Sequence, residues 1–418
     1  MKKRIFAAFL ALVISLLSLS SCAGITGSSG TDNKNPGSGD NITVEGGPNY
    51  ENINIQSSAN KNLLAASKAL LSSVSIVCKF NEYQYSWNGS YGGTKETASA
   101  GSGVIYKLDK EKGDAYVITN YHVVYNANAN TSNCISDSIN LYLYGMEHLT
   151  NAGQSYAIPA VYVGGSMNYD IAVLKITGST VLMESNARAC DVYDSDDITI
   201  LETAIAIGNP QGGGISATVG SINVDSEEIT VNFEDKNGGS NAVELRVLRT
   251  DAAVNSGNSG GGLFNDNGEL IGIVNAKDSD ELVDNIGYAI PSNVATAIAD
   301  NAIYYSDGTV KRCLLGITVG VSKYSTRYDS ETGKLHKIEE VVVAELSSTS
   351  GARGLINVGD IINSIIVDGV EHEVTRIHHV VDSMLYARVG SSVVINITRN
   401  GTSMNVTVPI TESMRTNA

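Results

Sequence analysis

From residue 74 onward the chain is written in short runs of β-branched, aliphatic and aromatic residues, each closed by Gly, Asn, Asp or Ser. Segments 74–80, 102–108, 115–119, 139–144, 171–176, 203–207, 215–224, 243–250 and 269–275 all read as strands. So many short strands with so little helical patterning confine the fold to the mainly β class, as a barrel or a sandwich. Only 61–72 (K-N-L-L-A-A-S-K-A-L-L-S) has helical spacing ahead of them. A weaker break falls at 305–311, and beyond it a second unit holds strands, a helix-like stretch at 376–388 and a closing strand at 392–398. A length of 418 residues accommodates two or three domains.

The first residues carry an address. Lys2-Lys3-Arg4 precedes an uncharged run from Ile5 to Leu19. At ~1.5 Å per residue that run is short for a ~30 Å hydrocarbon core. Residues 1–21 therefore read as a secretory signal peptide. Its end, Leu19-Ser20-Ser21-Cys22, resembles the lipobox of bacterial lipoproteins. The resemblance implies acylation of Cys22 and a chain anchored by lipid on the extracytoplasmic side of the bacterial cell envelope. Residues 22–60 are rich in Gly, Ser, Asn, Asp and Thr and read as a flexible tether. A net charge of −16 repels phosphate backbones and argues against nucleic-acid binding. Five cysteines are too few for a disulfide scaffold. Cys78 reads as a buried thiol, whereas Cys134 and Cys190 stand in loop-like sequence that leaves a pairing between them open.

The chemistry is concentrated in three segments. Gly257-Asn258-Ser259-Gly260-Gly261-Gly262 surrounds a serine with residues that let the backbone turn and admit a substrate closely. A serine hydroxyl is a poor nucleophile until a base takes its proton and N–H groups receive the developing oxyanion. Taken alone, the run also fits a Gly-rich turn or a phosphate cradle, but no G-K-[ST] triplet follows to complete a P-loop. His122 ends an apolar strand (Y-V-I-T-N-Y-H-V-V), and Asp170 begins another (Y-D-I-A-V-L-K-I). Singly, they also fit a core histidine and a strand-entry cap. With Ser259 they supply base, orienter and nucleophile in one of the known chain orders of the catalytic triad.

These segments resemble those of the HtrA/Deg-type, trypsin-like serine proteases. Further matches lie in order at Gly101-Ser102-Gly103-Val104-Ile105, Ala206-Ile207-Gly208-Asn209-Pro210, Gly272-Ile273 and Gly287-Tyr288-Ala289-Ile290-Pro291-Ser292. The resemblance implies two perpendicular β-barrels over 61–305 with the catalytic cleft between them. His122 and Asp170 would come from the first barrel and Ser259 from the second. It also implies an oxyanion hole from the N–H groups of Gly257, Asn258 and Ser259, with no cofactor and no metal. In trypsin-like folds the specificity pocket floor lies about six residues before the nucleophile, here Ala253. Val254 and Asn275 are assigned to the same pocket. With no acid among Ala252, Ala253 and Val254, cleavage after small aliphatic residues is expected. Tyr121, Gln211 and the glycines 212–214 depart from the family pattern.

The unit at 311–414 resembles a PDZ domain, which follows the protease in this family. Leu314-Leu315-Gly316-Ile317 matches the carboxylate-binding loop, and Gly354 to Ile365 matches the G-L-x-x-G-D-x-I segment with one extra residue. Such a groove takes C-terminal peptides by strand addition, and the polar stretch 323–335 is placed to cover it. The implied protein is an ATP-independent serine endopeptidase acting on unfolded proteins or peptides. A weakly catalytic holdase of the same fold is the alternative, and the family's habit implies a homotrimer. His372, His378 and His379 lack metal-ligand spacing and read as a solvated loop and helix start.

Overall fold

The computed structural model describes residues 60–85, 91–146, 150–151, 154–236, 238–275 and 286–418. The signal segment, Cys22 and the tether lie outside the described residues.

Lys61–Leu70 is a helix that begins where the Asn60 side chain accepts the Asn62 N–H at 3.0 Å. Its small buried residues, Ala65 and Ala69, let it lie close on the barrels. The strands then form two closed antiparallel barrels. The first runs in the order Ile158–Ser166, Ser138–Leu143, Ser73–Tyr85, Tyr91–Asp109, Asp114–Thr119 and Ile171–Ile176, and it closes where the last strand pairs with the first. Ser138–Leu143 shows why these segments become strands. Its alternate residues Ile139, Leu141 and Leu143 point inward and their neighbours outward. The second barrel takes the order Ser216–Glu234, Ser240–Thr250, Gly287–Pro291, Leu270–Asn275, Gly262–Phe264 and Thr203–Gly208. Ile222, Leu248, Leu263, Ile271 and Val274 fill it. The strands Ser216–Glu234 and Ser240–Thr250 run on past the barrel as a long hairpin. There Val231, Phe233, Val243 and Leu245 pack against Tyr121.

Helix Ser292–Tyr305 was not legible in the sequence. Val294, Ala295, Ala297, Ile298, Ala299 and Ala302 are all buried, so it carries no single apolar stripe. The chain then turns at Ser306, whose φ is 50°, and Gly308–Thr309 pairs in parallel with Gly164–Gly165 of the first barrel. Tyr162 Oη donates to the Gly308 carbonyl at 3.2 Å. The Asn301 side chain bonds both the N–H and the carbonyl of Lys311, and Asp307 pairs with Lys311.

Beyond this connection lies a sheet in the order Ile317–Tyr328, Leu335–Leu346, Ile361–Val367, Ser392–Arg399 and Thr402–Pro409. Helix Ile377–Ser383 packs against it, shorter than the sequence pattern suggests. Arg399 makes two 2.7 Å bonds to the nearly inaccessible carboxylate of Asp360. Ile317–Tyr328 is an edge strand. The stretch 323–335 does not cover a groove there, contrary to the sequence reading. It continues the edge strand into a hairpin, and its Lys334 Nζ reaches Tyr193 Oη and the Asp197 carbonyl, each at 2.8 Å. A chain that pairs with its own return strand keeps its backbone bonds satisfied, whereas a loose cover would leave them to water.

Candidate active site

His122 sits in a single helical turn, Tyr121–Val124, that leaves the end of strand Asp114–Thr119. Asp170 stands immediately before strand Ile171–Ile176 with φ 47°, a left-handed conformation that aspartate tolerates better than most residues. This turn aims the wholly buried carboxylate back at His122. Asp170 Oδ1 accepts the His122 backbone N–H at 3.0 Å, and Oδ2 lies 2.7 Å from His122 Nδ1. An ionised carboxylate only accepts, so Nδ1 carries the proton and Nε2 keeps its lone pair. The Asp170 carbonyl accepts the Asn120 side-chain amide at 2.9 Å and the Tyr121 N–H at 3.2 Å. The carboxylate is thus fixed from both sides of the peptide.

Ser259 is 7% exposed and comes from the second barrel, on the turn before strand Gly262–Phe264. Its carbonyl accepts the Ser102 N–H at 2.8 Å. Gly260, at φ 81°, lies so close to Thr119 and Asn120 that a Cβ there would stand 2.2 Å from Thr119 Oγ1. The glycine therefore brings the serine segment against the strand end that leads to His122. The three sequence-predicted residues converge on this junction of the two barrels.

Ser102 is the residue whose importance the sequence did not single out. Its hydroxyl donates to the Gly257 carbonyl at 2.7 Å and accepts the Asn209 N–H at 2.8 Å. Its own carbonyl accepts Thr119 Oγ1 at 2.7 Å. One buried side chain from the first barrel therefore ties down the nucleophile loop and the Gly208-Asn209-Pro210 turn. That turn is in turn closed by the Gly214 N–H donating to Asn209 Oδ1 at 2.7 Å.

Gly257 holds φ at 99°, and no acceptor among the described residues is paired with its N–H. The expected contribution of Asn258 to an oxyanion hole is corrected by the structure. Its N–H donates to the Asn255 carbonyl at 2.9 Å and is not available for an oxyanion. Asn275 is likewise corrected. It is buried at the end of strand Leu270–Asn275, and its side-chain amide donates to Asp170 Oδ2 at 3.0 Å. The amide supports the carboxylate, a task that strand register sets and spacing does not reveal. Ala253 is exposed and its carbonyl accepts Thr218 Oγ1 at 2.9 Å, while Val254 is half-buried against Gly287. Tyr121 lies 5.3 Å from the Tyr125 ring, and burial pushes its hydroxyl up to about 12.

Elsewhere, Cys134 and Cys190 are free thiols, so the possible pairing does not form. His378 and His379 do open a helix, but they are not solvated. His379 is 7% exposed, and burial is the main cause that holds both imidazoles below the ordinary histidine value. His372 stacks on Tyr386 with ring centres 4.9 Å apart.

Comparison with known proteins gives the family of the chain. Residues 101–273 match the family model of the trypsin-like peptidase domain. The Do-like serine protease HtrA of Lactococcus lactis subsp. cremoris is 32% identical over 383 residues, which span 86% of this chain and 85% of the relative. The Do-like HtrA of Bacillus subtilis is 31% identical over 346 residues, 81% of this chain and 69% of the relative. The periplasmic serine endoprotease DegP of Escherichia coli K12 is 32% identical over 335 residues, 78% of this chain and 60% of that protein. Among solved structures, the HtrA-type protease AlgWS227A with decapeptide is 26% identical at a TM-score of 0.49, with 84% of this chain and 97% of that chain covered. The chain belongs to the HtrA family of trypsin-like serine proteases and is a serine endopeptidase.

Proposed function

We propose that Ser259 is the nucleophile of this endopeptidase, His122 its general base and Asp170 the group that orients the imidazole. The observation that carries this reading is the 2.7 Å contact between His122 Nδ1 and Asp170 Oδ2, beside a serine segment held on Ser102. His122 Nε2 takes the Ser259 proton as the oxygen attacks a peptide carbonyl, then returns it to the leaving amine. Asp170 keeps Nδ1 protonated and stabilises the imidazolium. The N–H groups of Gly257 and Ser259 receive the oxyanion, a contribution on the order of 10²–10³ in rate.

The substrates are unfolded or misfolded proteins outside the cytoplasm, cut after small aliphatic residues because Ala253 and Val254 bring no acid to the pocket. The C-terminal sheet acts as a PDZ module. Support comes from its free edge strand Ile317–Tyr328 beside helix Ile377–Ser383 and from a cavity of about 170 Å³ lined by Leu314, Leu315, Gly316, Ile317, Val381 and Met384. A C-terminal peptide adds there as a strand, its carboxylate on the loop N–H groups. Cys22 carries the lipid that tethers the protein to the membrane, and three copies assemble as in the family.

A soluble chain without residues 1–22, incubated with unfolded casein, tests the catalytic assignment. The parent cleaves casein and peptides bearing Val, Ala or Ile at the scissile position, and Ser259→Ala cleaves neither. Equal cleavage by Ser259→Ala removes the nucleophile assignment, and a preference for Lys removes the specificity assignment. Suppression of casein aggregation without any cleavage by the parent points to the holdase.

A further inference from the structure

Three potential metal ligands from two distant parts of the sequence meet between the barrels and the C-terminal sheet. Asp196 lies on a single turn, Ser195–Asp197, in the segment that leads into the second barrel. His378 and His379 open helix Ile377–Ser383. His379 Nε2 lies 3.8 Å from Asp196 Oδ1 and His378 Nε2 lies 4.0 Å from it, and the three ligand atoms fall within 4.8 Å of one another.

The hydrogen bonds around His379 fix what it presents. Its Nδ1 is 3.0 Å from the Glu373 carbonyl oxygen, nearer than the Thr375 N–H at 3.3 Å. Nδ1 is thus engaged by the backbone, and Nε2 is the ring nitrogen that faces Asp196. A ring N–H on a backbone carbonyl is also how metal-bound histidines are commonly oriented. Asp196 is oriented from behind, where its Oδ2 accepts the Asn293 amide at 3.0 Å.

The neighbouring cations pair with carboxylates, and Arg246 reaches Asp196 itself more distantly than it reaches Asp382. Arg246 Nη2 is 2.6 Å from Asp382 and 3.5 Å from Asp196, Arg376 Nη1 is 3.0 Å from Asp225, and Lys337 Nζ is 3.1 Å from Glu339. A cavity of about 380 Å³ adjoins the cluster, its walls carrying Asp194, Asp197 and Glu371 as well as Arg327, Lys337 and Arg376. It has room for the water that completes a site with three protein ligands. An ion at ~2.0–2.2 Å from two imidazoles and a carboxylate holds its ligand atoms about 3.3–3.6 Å apart, so the two contacts to Asp196 close by about 0.5 Å and the widest separation by up to about 1.5 Å.

We propose that Asp196, His378 and His379 bind one divalent transition-metal ion of the zinc class. The ion joins the segment that enters the second barrel to the helix of the C-terminal sheet, and so it staples the endopeptidase to its C-terminal region.

Zn²⁺ itself is the probe. The chain without residues 1–22, carrying Ser259→Ala to prevent self-digestion, is stripped with chelator and titrated with Zn²⁺ against a chromophoric competitor. One ion per chain is expected, with a rise in Tm. Asp196→Asn and His379→Gln are expected to weaken binding at least tenfold and to abolish the Tm rise. Should His379→Gln fail to fold by circular dichroism, His378→Gln replaces it. Absence of stoichiometric binding overturns the site, as does unchanged affinity in the folded variants. Neither result bears on the nucleophile assignment, which casein cleavage tests separately.

Discussion

Ser102→Ala removes a single oxygen that joins two loops of the catalytic junction. The residue is 1% exposed, and its hydroxyl satisfies the Gly257 carbonyl at 2.7 Å and the Asn209 N–H at 2.8 Å. Without it both groups stay inside the protein without a partner, at about 1–3 kcal/mol each before relaxation. The chain relieves part of that cost by letting the Gly257 loop move. The Ser102 backbone N–H still holds the Ser259 carbonyl, so the nucleophile stays near His122 while the oxyanion donor loses its anchor. Complete loss of one such donor costs on the order of 10²–10³ in kcat, which sets the ceiling. A loosened donor is expected to lower kcat by about 10- to 100-fold, or roughly 1.4–2.7 kcal/mol of barrier. KM changes little because the hydroxyl faces the loop's interior bonds. Steady-state cleavage of a fluorogenic peptide separates the two constants, and a thermal melt reports the folded fraction at the assay temperature. A kcat within twofold of the parent in a fully folded variant would refute the reasoning.

Asn275→Ala deletes one donor to Asp170 and leaves the two from His122, so kcat should fall about tenfold, or ~1.4 kcal/mol. The ranking of peptides by their scissile residue should not change; a changed ranking returns Asn275 to the specificity pocket. The Arg399 guanidinium holds the Asp360 carboxyl below the ordinary aspartate value. A depressed acid contributes stability that is present above the unfolded pKa of about 3.9 and lost as pH falls through the lower folded value. Asp360→Asn should therefore lower the melting temperature of the C-terminal region at pH 7, and the gap to the parent should narrow steadily below about pH 4. A gap that does not vary with pH contradicts the assignment.

The segments proposed as catalytic stood out in the sequence because such chemistry needs rare residue types in short, ordered segments, and those around His122, Asp170 and Ser259 carry them. The barrel strands were legible because alternation survives in single segments such as 138–143. What failed was orientation. Asn275 and Asn258 sit at the expected positions, but each spends an N–H on a partner that only strand register and loop conformation reveal, Asp170 in one case and Asn255 in the other. His378 and His379 looked solvated because their partner, Asp196, is remote in sequence. The stretch 323–335 looked like a cover because its polarity is real, yet Lys334 uses that polarity to dock on Tyr193 and Asp197. Helix Ser292–Tyr305 carried no periodic signal because its surroundings bury it on nearly every side.

The connection between the barrels and the C-terminal sheet is sewn into the first barrel. Gly308–Thr309 lies along Gly164–Gly165, and Asn301 clasps Lys311. Swinging the C-terminal sheet away would first have to unpick that seam, so torque on the sheet is delivered to the barrel wall and not absorbed by slack. Strand Ile158–Ser166, which carries Gly164 and Gly165, leads through the single turn Met167–Tyr169 to Asp170. A pull on the C-terminal sheet is therefore felt first at the strand that leads to Asp170, whose carboxylate lies 2.7 Å from His122 Nδ1.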